Sequence, residues 1–302
     1  MQLVVSVANH LSMCPFYLAY ESGYFEDEGF DPEVVKDTQS AQSVPLLAGG
    51  KLDVAFAGVT AAFVNAAARG VRVKLVAARE VISPTCGTMG TIYVSRRAYP
   101  NGVRSMRELR GARIGLSPSG PGADFLLGSL LEHEGMRESD IVLRKLPAPE
   151  SVAAIRAGRL DGFLSKESDF SPELRDLGLA PGPSIASFLP DFQFSYIAFG
   201  RRLLDGGVET GARFLRAYFR GAREFLNGRT PRFLDNFAKQ NNLDATLLRQ
   251  MCRGTFVRDG AIRLDDLRRH VQWFAAHHFC PAGLDAATLV DTRFLDAAHA
   301  IG

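Results

Sequence analysis

The sequence predicts an α/β protein of two related lobes, each a mostly parallel sheet flanked by helices, with a helical C-terminal tail that packs on one of them. Three observations carry this expectation. Short β-rich runs alternate with helical patterns through the first two-thirds of the chain, the arrangement of βαβ units around a mostly parallel sheet. A four-residue echo, Gly50-Lys51-Leu52-Asp53 and Gly158-Arg159-Leu160-Asp161, stands before a short strand in each half. From about residue 207 onward the pattern turns helical, with apolar residues recurring at three- and four-residue spacing.

In chain order, LVVSVA (3–8) is the first strand. FYLAYESGYFEDEG (16–29) reads as one helix that stops at Gly29, and DPEVVKD (31–37) as the next strand. SAQSVPLLAGG (40–50) is a helix closed by glycines, followed by the strand VAFAG (54–58). TAAFVNAAARG (60–70) is helical and VRVKLVAARE (71–80) is a fourth strand. The second run repeats the order: strand RIGLS (113–117), helix ADFLLGSLLEHEG (123–135), strand IVLRKL (141–146), helix ESVAAIRAG (150–158) and strand DGFLS (161–165). In both copies of the echo the glycine suits a left-handed helix cap, the leucine packs back, and the aspartate enters a buried strand. The tail holds GARFLRAYFRGAREFL, PRFLDNFAKQ, ATLLRQMC and LDDLRRHVQWFAAHHF, and a closing stretch begins at Leu289.

Composition narrows the function classes. The 302 residues are 46% hydrophobic, as in globular proteins. The net charge is +2 and the basic residues are spread along the chain, so the dense basic stripe that nucleic acid requires is missing. No apolar run reaches the roughly 18 residues of a membrane span. MQLVVSVANH already reads as a buried strand rather than a signal peptide, which leaves a cytosolic protein or a mature domain separated from its export segment. Cys14, Cys86, Cys252 and Cys280 form no CxxC pair and no zinc spacing.

GLSPSGPGADFL (115–126) joins a strand to a helix through a glycine-rich turn. It lacks the lysine of a P-loop and the distant acidic residue of a dinucleotide fingerprint. What it offers is Ser117, Ser119 and free backbone N–H groups at a helix start, a donor-rich place for a carboxylate, sulfonate or carbonyl. The six histidines match no metal spacing, and no nucleophile elbow is present, so no metal and no cofactor are expected. His270 and His277 share a helix face with Trp273 and Phe274 and read as packing. His10, just after the first strand, is placed like a site residue.

In order along the chain, PFYLAYESGYFEDEGFDPEVV, LLAGGKLDVAFAG, LRGARIGLSPSGPGADFLLGSLLEHEG, AAIRAGRLDGFL and DTRFLDAA resemble the type II solute-binding proteins of ABC transporters. The nearest branch is the one that binds nitrate, sulfonates, taurine and pyrimidine precursors. The resemblance implies a two-lobed periplasmic-binding-protein fold with the second lobe inserted: 1–92 and 193–302 in the first lobe, 93–192 in the second. It implies a ligand clasped between the lobes, and strand carboxyl ends facing it, as α/β geometry also predicts. The expected ligand-binding residues are then His10, Ser12 and Met13; Ser40 and Gln42; Val59 and Thr60; Thr85; Ser117, Ser119, Gly120 and Asp124; Lys166 and Glu167; and Phe192.

Two features of the branch are missing. The pyrimidine-precursor binders carry a tryptophan and a histidine in the first loop, whereas VANHLSMCPFYLA has no tryptophan. The adjacent cysteines of the self-sacrificing synthase are absent too. Met13, Cys14, Pro15, Phe16, Val59 and Phe63 make the first lobe's face apolar, and no candidate loop holds an arginine, the usual fork for an anion. Lys166 is the one positive charge in the set. The expectation is a monomeric extracytoplasmic binding protein, periplasmic or membrane-anchored. It would clasp a small organic ligand with apolar surface and at most one anionic group and deliver it to a membrane permease. The alternatives are a decarboxylase, dehydratase or cofactor-precursor synthase on the same scaffold, with Asp124, Glu167 or His10 as acid or base, and a cytosolic ligand sensor.

Overall fold

The computed structural model describes residues 1–37, 40–86, 89–118, 121–165 and 178–300. Along the chain the strands are β1 (Gln2–Ala8), β2 (Asp31–Asp37), β3 (Val54–Gly58), β4 (Lys74–Ile82), β5 (Thr91–Ser95), β6 (Arg113–Leu116), β7 (Val142–Lys145), β8 (Gly162–Leu164), β9 (Leu179–Ser184) and β10 (Phe192–Phe199). The helices before β5 are α1 (Cys14–Glu21), α2 (Tyr24–Asp27), α3 (Ser40–Ala48) and α4 (Ala61–Ala68). Between β6 and β8 lie α5 (Pro121–His133) and α6 (Ala148–Arg156). The tail holds α7 (Arg201–Asp205), α8 (Val208–Leu226), α9 (Arg232–Gln240), α10 (Ala245–Arg249), α11 (Leu264–Ala276) and α12 (Arg293–His299).

Two compact units result: Met1–Val81 with Gln193–Gly302, and Ile82–Phe192. The first unit's sheet has the order β2-β1-β3-β10-β4, with β1 parallel to β2 and β3, and β10 antiparallel to β3. The second unit's sheet has the order β7-β6-β8-β5-β9, with β6 parallel to β7 and β8, and β5 antiparallel to β8. The two sheets follow one plan. In each, the first strand of a βαβαβ run lies between the second and third, and one antiparallel strand joins beside the third.

The sequence echo marks equivalent points of that plan. Gly50 (φ +69°) and Gly158 (φ +67°) end α3 and α6 in the left-handed region that glycine adopts without strain. Leu52 and Leu160 are both buried. Each aspartate then clamps the first strand of its own sheet. The Asp53 N–H donates to the Val4 carbonyl at 2.8 Å, and the Val4 N–H donates back to Asp53 Oδ2 at 2.7 Å. The Asp161 N–H donates to the Arg113 carbonyl at 2.9 Å, and the Arg113 N–H donates back to Asp161 Oδ2 at 2.8 Å. An arginine completes each clamp: Arg202 on Asp53 at 2.5 Å, and the Arg113 side chain on Asp161 at 2.5 Å.

Asp53 is almost wholly buried and Asp161 less so, with 2% and 16% of their side chains exposed. Truncating Asp53 therefore removes an almost wholly buried partner of the Val4 N–H, whereas truncating Asp161 removes one that water already reaches. Asp53→Ala is expected to cost about 1–3 kcal/mol and Asp161→Ala less, read as the difference between their urea midpoints. Equal costs would mean that the echo is only a turn signal.

The structure breaks one expected helix and adds the strands β5, β9 and β10 to those expected. The stretch 16–29 is not one helix: Gly23 at φ +76° breaks it into α1 and α2, because the chain turns there through a left-handed residue. The edge strand β9, Leu-Ala-Pro-Gly-Pro-Ser, carries turn residues yet pairs with β5. Proline fits there because an outer strand leaves one row of N–H groups outside the ladder.

The tail belongs to the first unit. Its main helix α8 packs along α1, joining Phe214, Tyr218 and Phe219 to Phe16, Phe25 and Phe56 in one core. Phe25 stacks on Phe214 at 5.0 Å and Phe16 meets Phe56 at 5.3 Å. Arg216 on Glu28 and Arg220 on Asp27 fasten the exposed side of α8 to the end of α2. No described helix is long and apolar enough to cross a membrane.

Candidate functional site

In the first unit the candidate residues gather where parallel strands end. The register pairing Ser6 with Ala55 brings Asn9 and Gly58, three residues on in each strand, to the same end of the sheet. After β1 the chain turns at His10 into the short 3-10 turn Leu11–Met13 and then into α1. His10 caps that turn. Its Nδ1 accepts the Ser12 N–H at 3.2 Å and lies 3.0 Å from Ser12 Oγ. Met13 is buried in the core. After β3, Val59 is buried and Thr60 caps α4, its Oγ1 accepting the Phe63 N–H at 3.1 Å. Ser40 and Gln42 fall in the first turn of α3, and their side chains lie outside the described residues.

Beneath the first loop lies a group that the sequence reading passed over. Arg79, on β4 and 5% exposed, donates from Nη1 to the Ser12 carbonyl at 2.7 Å. Its Nε and Nη2 donate to Ser195 Oγ at 3.0 and 2.6 Å, and Nη2 also meets Glu80 Oε2 at 2.7 Å. Ser195 sits opposite Gly58 on β10, so the guanidinium joins three neighbouring elements at the carboxyl end of the sheet. The Phe56 ring lies 5.8 Å from its carbon. The sequence signal was there: Arg79-Glu80 is a charged pair inside KLVAAREVI, a strand that is otherwise almost entirely apolar and buried. This arginine belongs to a strand and not to one of the strand-end loops.

Cys14, at the start of α1, is a free buried thiol that burial pushes up to about 12. A thiol that far above neutrality holds almost no thiolate. Iodoacetamide at pH 8 is expected to leave Cys14 unmodified in the folded protein and to alkylate it in urea, read by peptide mass. Rapid labelling of the folded protein would contradict the burial.

In the second unit, Ser117 follows β6 half-exposed, and α5 starts at Pro121. Ser119 and Gly120, between them, lie outside the described residues, as do Lys166 and Glu167. Asp124, in the first turn of α5, meets Lys145 Nζ from the end of β7 at 2.8 Å. Ser165 after β8 is buried and tied by backbone bonds to Thr91 at 2.8 Å and Gly90 at 2.9 Å. Thr85 is exposed in a turn with Ser83. Phe192 is 1% exposed and stacks on Phe125 at 5.4 Å.

Of the acid–base candidates, Asp124 is matched by Lys145 and His10 serves as a cap. His270 is buried near Phe274, and His277 stacks on Trp273 at 3.9 Å. Among the described residues no group of three or more His, Cys, Asp or Glu could hold a metal ion.

The family model described as "NMT1/THI5 like" matches residues 10–171, more than half of the chain, including the first loop, both echo segments and β6 to β8. The chain belongs to the NMT1/THI5-like family. A protein of Brucella abortus (strain 2308), assigned by name alone as a binding protein, is 28% identical over 144 residues, 48% of this chain and 41% of that protein. The match thus spans less than half of that relative's length.

Among solved structures, the periplasmic aliphatic sulphonate binding protein SsuA of Escherichia coli superposes with a TM-score of 0.75 at 15% identity. The alignment covers 96% of this chain and 92% of SsuA. The desulfurization enzyme DSZB superposes with a TM-score of 0.68 at 15% identity, covering 99% of each chain. This family member therefore has the two-sheet α/β fold of the periplasmic binding proteins, a fold on which both binding and catalysis are found.

Proposed function

We propose that this NMT1/THI5-like protein is the substrate-binding component of an ABC importer. In this reading it works outside the cytoplasm as a monomer and hands a small organic ligand to a membrane permease. The ligand carries apolar surface and at most one anionic group, and it is clasped between the two lobes with the strand-end loops of both facing it. His10, Ser12, Met13, Val59 and Thr60 serve it from the first unit, with Ser40 and Gln42. Ser117, Ser119, Gly120, Asp124, Lys166 and Glu167 serve it from the second, with Thr85 and Phe192.

The observation that carries the ligand class is charge matching. Two cations near the described strand ends already face carboxylates, Arg79 with Glu80 and Lys145 with Asp124. An inorganic anion needs an uncompensated fork, whereas a mostly apolar ligand does not. The binding role over catalysis rests on the family resemblance and on Asp124 and His10 having structural partners.

Mass spectrometry of small molecules released by denaturing the native protein tests this reading. The expected result is one organic compound at near-stoichiometric amount, unchanged on prolonged incubation with the protein. Calorimetry showing tight nitrate or sulfate binding and no organic ligand would defeat the ligand class, and turnover of the released compound would defeat the binding role.

A further inference from the structure

We propose that Arg79 is the positioning residue of the first unit's ligand loop: it holds the His10–Met13 turn against the sheet by its main chain and takes no ligand charge itself. This rests on the reading of that loop as part of a ligand site. All three guanidinium nitrogens are engaged inside the protein. Nη1 donates to the Ser12 carbonyl at 2.7 Å and lies 3.9 Å from Met13 Sδ. Nε and Nη2 bracket Ser195 Oγ, and Nη2 adds the Glu80 carboxylate. A guanidinium presents five N–H groups in a rigid planar fork, so these contacts fix both its place and its plane.

Within the turn, the Met13 N–H reaches the His10 carbonyl at 2.9 Å and the Ser12 N–H reaches the His10 ring, while the His10 N–H donates to the Ala8 carbonyl at the end of β1 at 2.9 Å. A side-chain hold from another strand adds to these local bonds. Arg79 supplies it, from β4, across β10 at Ser195, to a carbonyl of the turn. Because Ser12 is gripped by its carbonyl, its Oγ stays beside His10, and both polar side chains remain on the turn's own face. Glu80, buried with Arg79 on the same strand, supplies the counter-charge that lets a guanidinium sit 5% exposed beside Phe56. A lysine could match the charge but could not reach Ser12, Ser195 and Glu80 in one plane.

Two readouts test the proposal. The first needs no ligand: amide hydrogen exchange in Arg79→Lys. The Ser12 and Met13 amides are expected to exchange about tenfold faster or more, as loss of a charge-assisted bond predicts, while amides of β2, across the same sheet, keep their rates. In Arg79→Ala, free guanidinium ion at millimolar concentration is expected to restore loop protection and tetramethylammonium is not. If Arg79→Ala does not fold, Arg79→Lys decides alone. Unchanged loop exchange, or loss of protection spread evenly over the whole sheet, overturns the proposal.

The second readout is calorimetry with a matched pair of probes, 1-hexanesulfonate and 1-hexanol. Arg79→Lys is expected to weaken each probe that the parent protein binds by the same factor and to leave the salt dependence unchanged. A loss confined to the sulfonate overturns the proposal, because the guanidinium would then hold the anion directly. If the parent protein binds neither probe, the exchange experiment alone judges Arg79, and the ligand class is judged by the released compound.

Discussion

Gly221→Ala is expected to destabilise the protein by about 1–3 kcal/mol, although alanine is the better helix former. Gly221 lies within α8, where exchange for alanine would ordinarily add up to about 1 kcal/mol of helix stability. A Cβ at that position would stand 2.6 Å from the Pro15 carbonyl oxygen and 2.7 Å from both the nitrogen and the Cβ of Ala19. Those atoms belong to α1, so relief requires one helix to move against the other rather than one side chain to turn. The crossing holds Phe16, Phe25, Phe214 and Tyr218 in a single core, and a shift there loosens many contacts together. Because α1 begins where the His10–Met13 turn ends, the same shift reaches the candidate ligand loop. Urea denaturation reads the outcome. A variant as stable as its parent would show that the helices part without cost.

Much of this fold is legible in the sequence because βαβ units write themselves as short apolar runs between helical repeats. The echo was the sharper signal. Gly50 and Gly158 declare the ends of equivalent helices, and Asp53 and Asp161 turn out to bind the backbone of the first strand in each sheet, a long-range role that no local pattern announces. Gly23 was misread because Tyr24, Phe25 and the acidic residues after it keep helical spacing, so periodicity ran on through a residue that turns the backbone left-handed. β9 was missed for the opposite reason. Pro181, Gly182 and Pro183 argue for a turn, and only the place at the sheet's edge makes them acceptable in a strand.

The candidate site was legible as far as strand ends could be placed. The loops after β1 and β3 follow from the α/β rule that strand carboxyl ends face ligands, and His10 and Thr60 lie where that rule puts them, both as caps. Arg79 was not legible in that way. Its chemistry acts at a loop some 67 residues away in sequence, through a carbonyl, and a carbonyl carries no residue identity. Asp124 shows the same limit: a carboxylate at a helix start looks available until Lys145, on the neighbouring strand, is seen to meet it.

Mild acid is expected to destabilise the protein through His270 before its carboxylates begin to titrate. His270 lies on α11, fully buried beside Phe274, and burial pushes its imidazole from the usual value near 6.5 down to about 3. The folded state therefore keeps the ring neutral where the unfolded chain binds a proton. With the folded value depressed, stability is full above about pH 6.5 and is lost as pH falls toward 3. One proton taken up on unfolding corresponds to about 1.4 kcal/mol per pH unit, or about 2 kcal/mol between pH 6.5 and 5. Asp161, held low by its hydrogen bond from Arg113, adds its own loss only where an unfolded aspartate protonates, near pH 4. The upper part of the acid limb thus belongs to the histidine. His270→Phe, a ring of similar size for an apolar site, is expected to flatten stability between pH 6.5 and 5 while leaving the steeper fall below pH 4.5 in place. Equal slopes in parent and variant, measured by urea titration at stepped pH, would mean that water reaches the ring and that the imidazole protonates inside the folded protein.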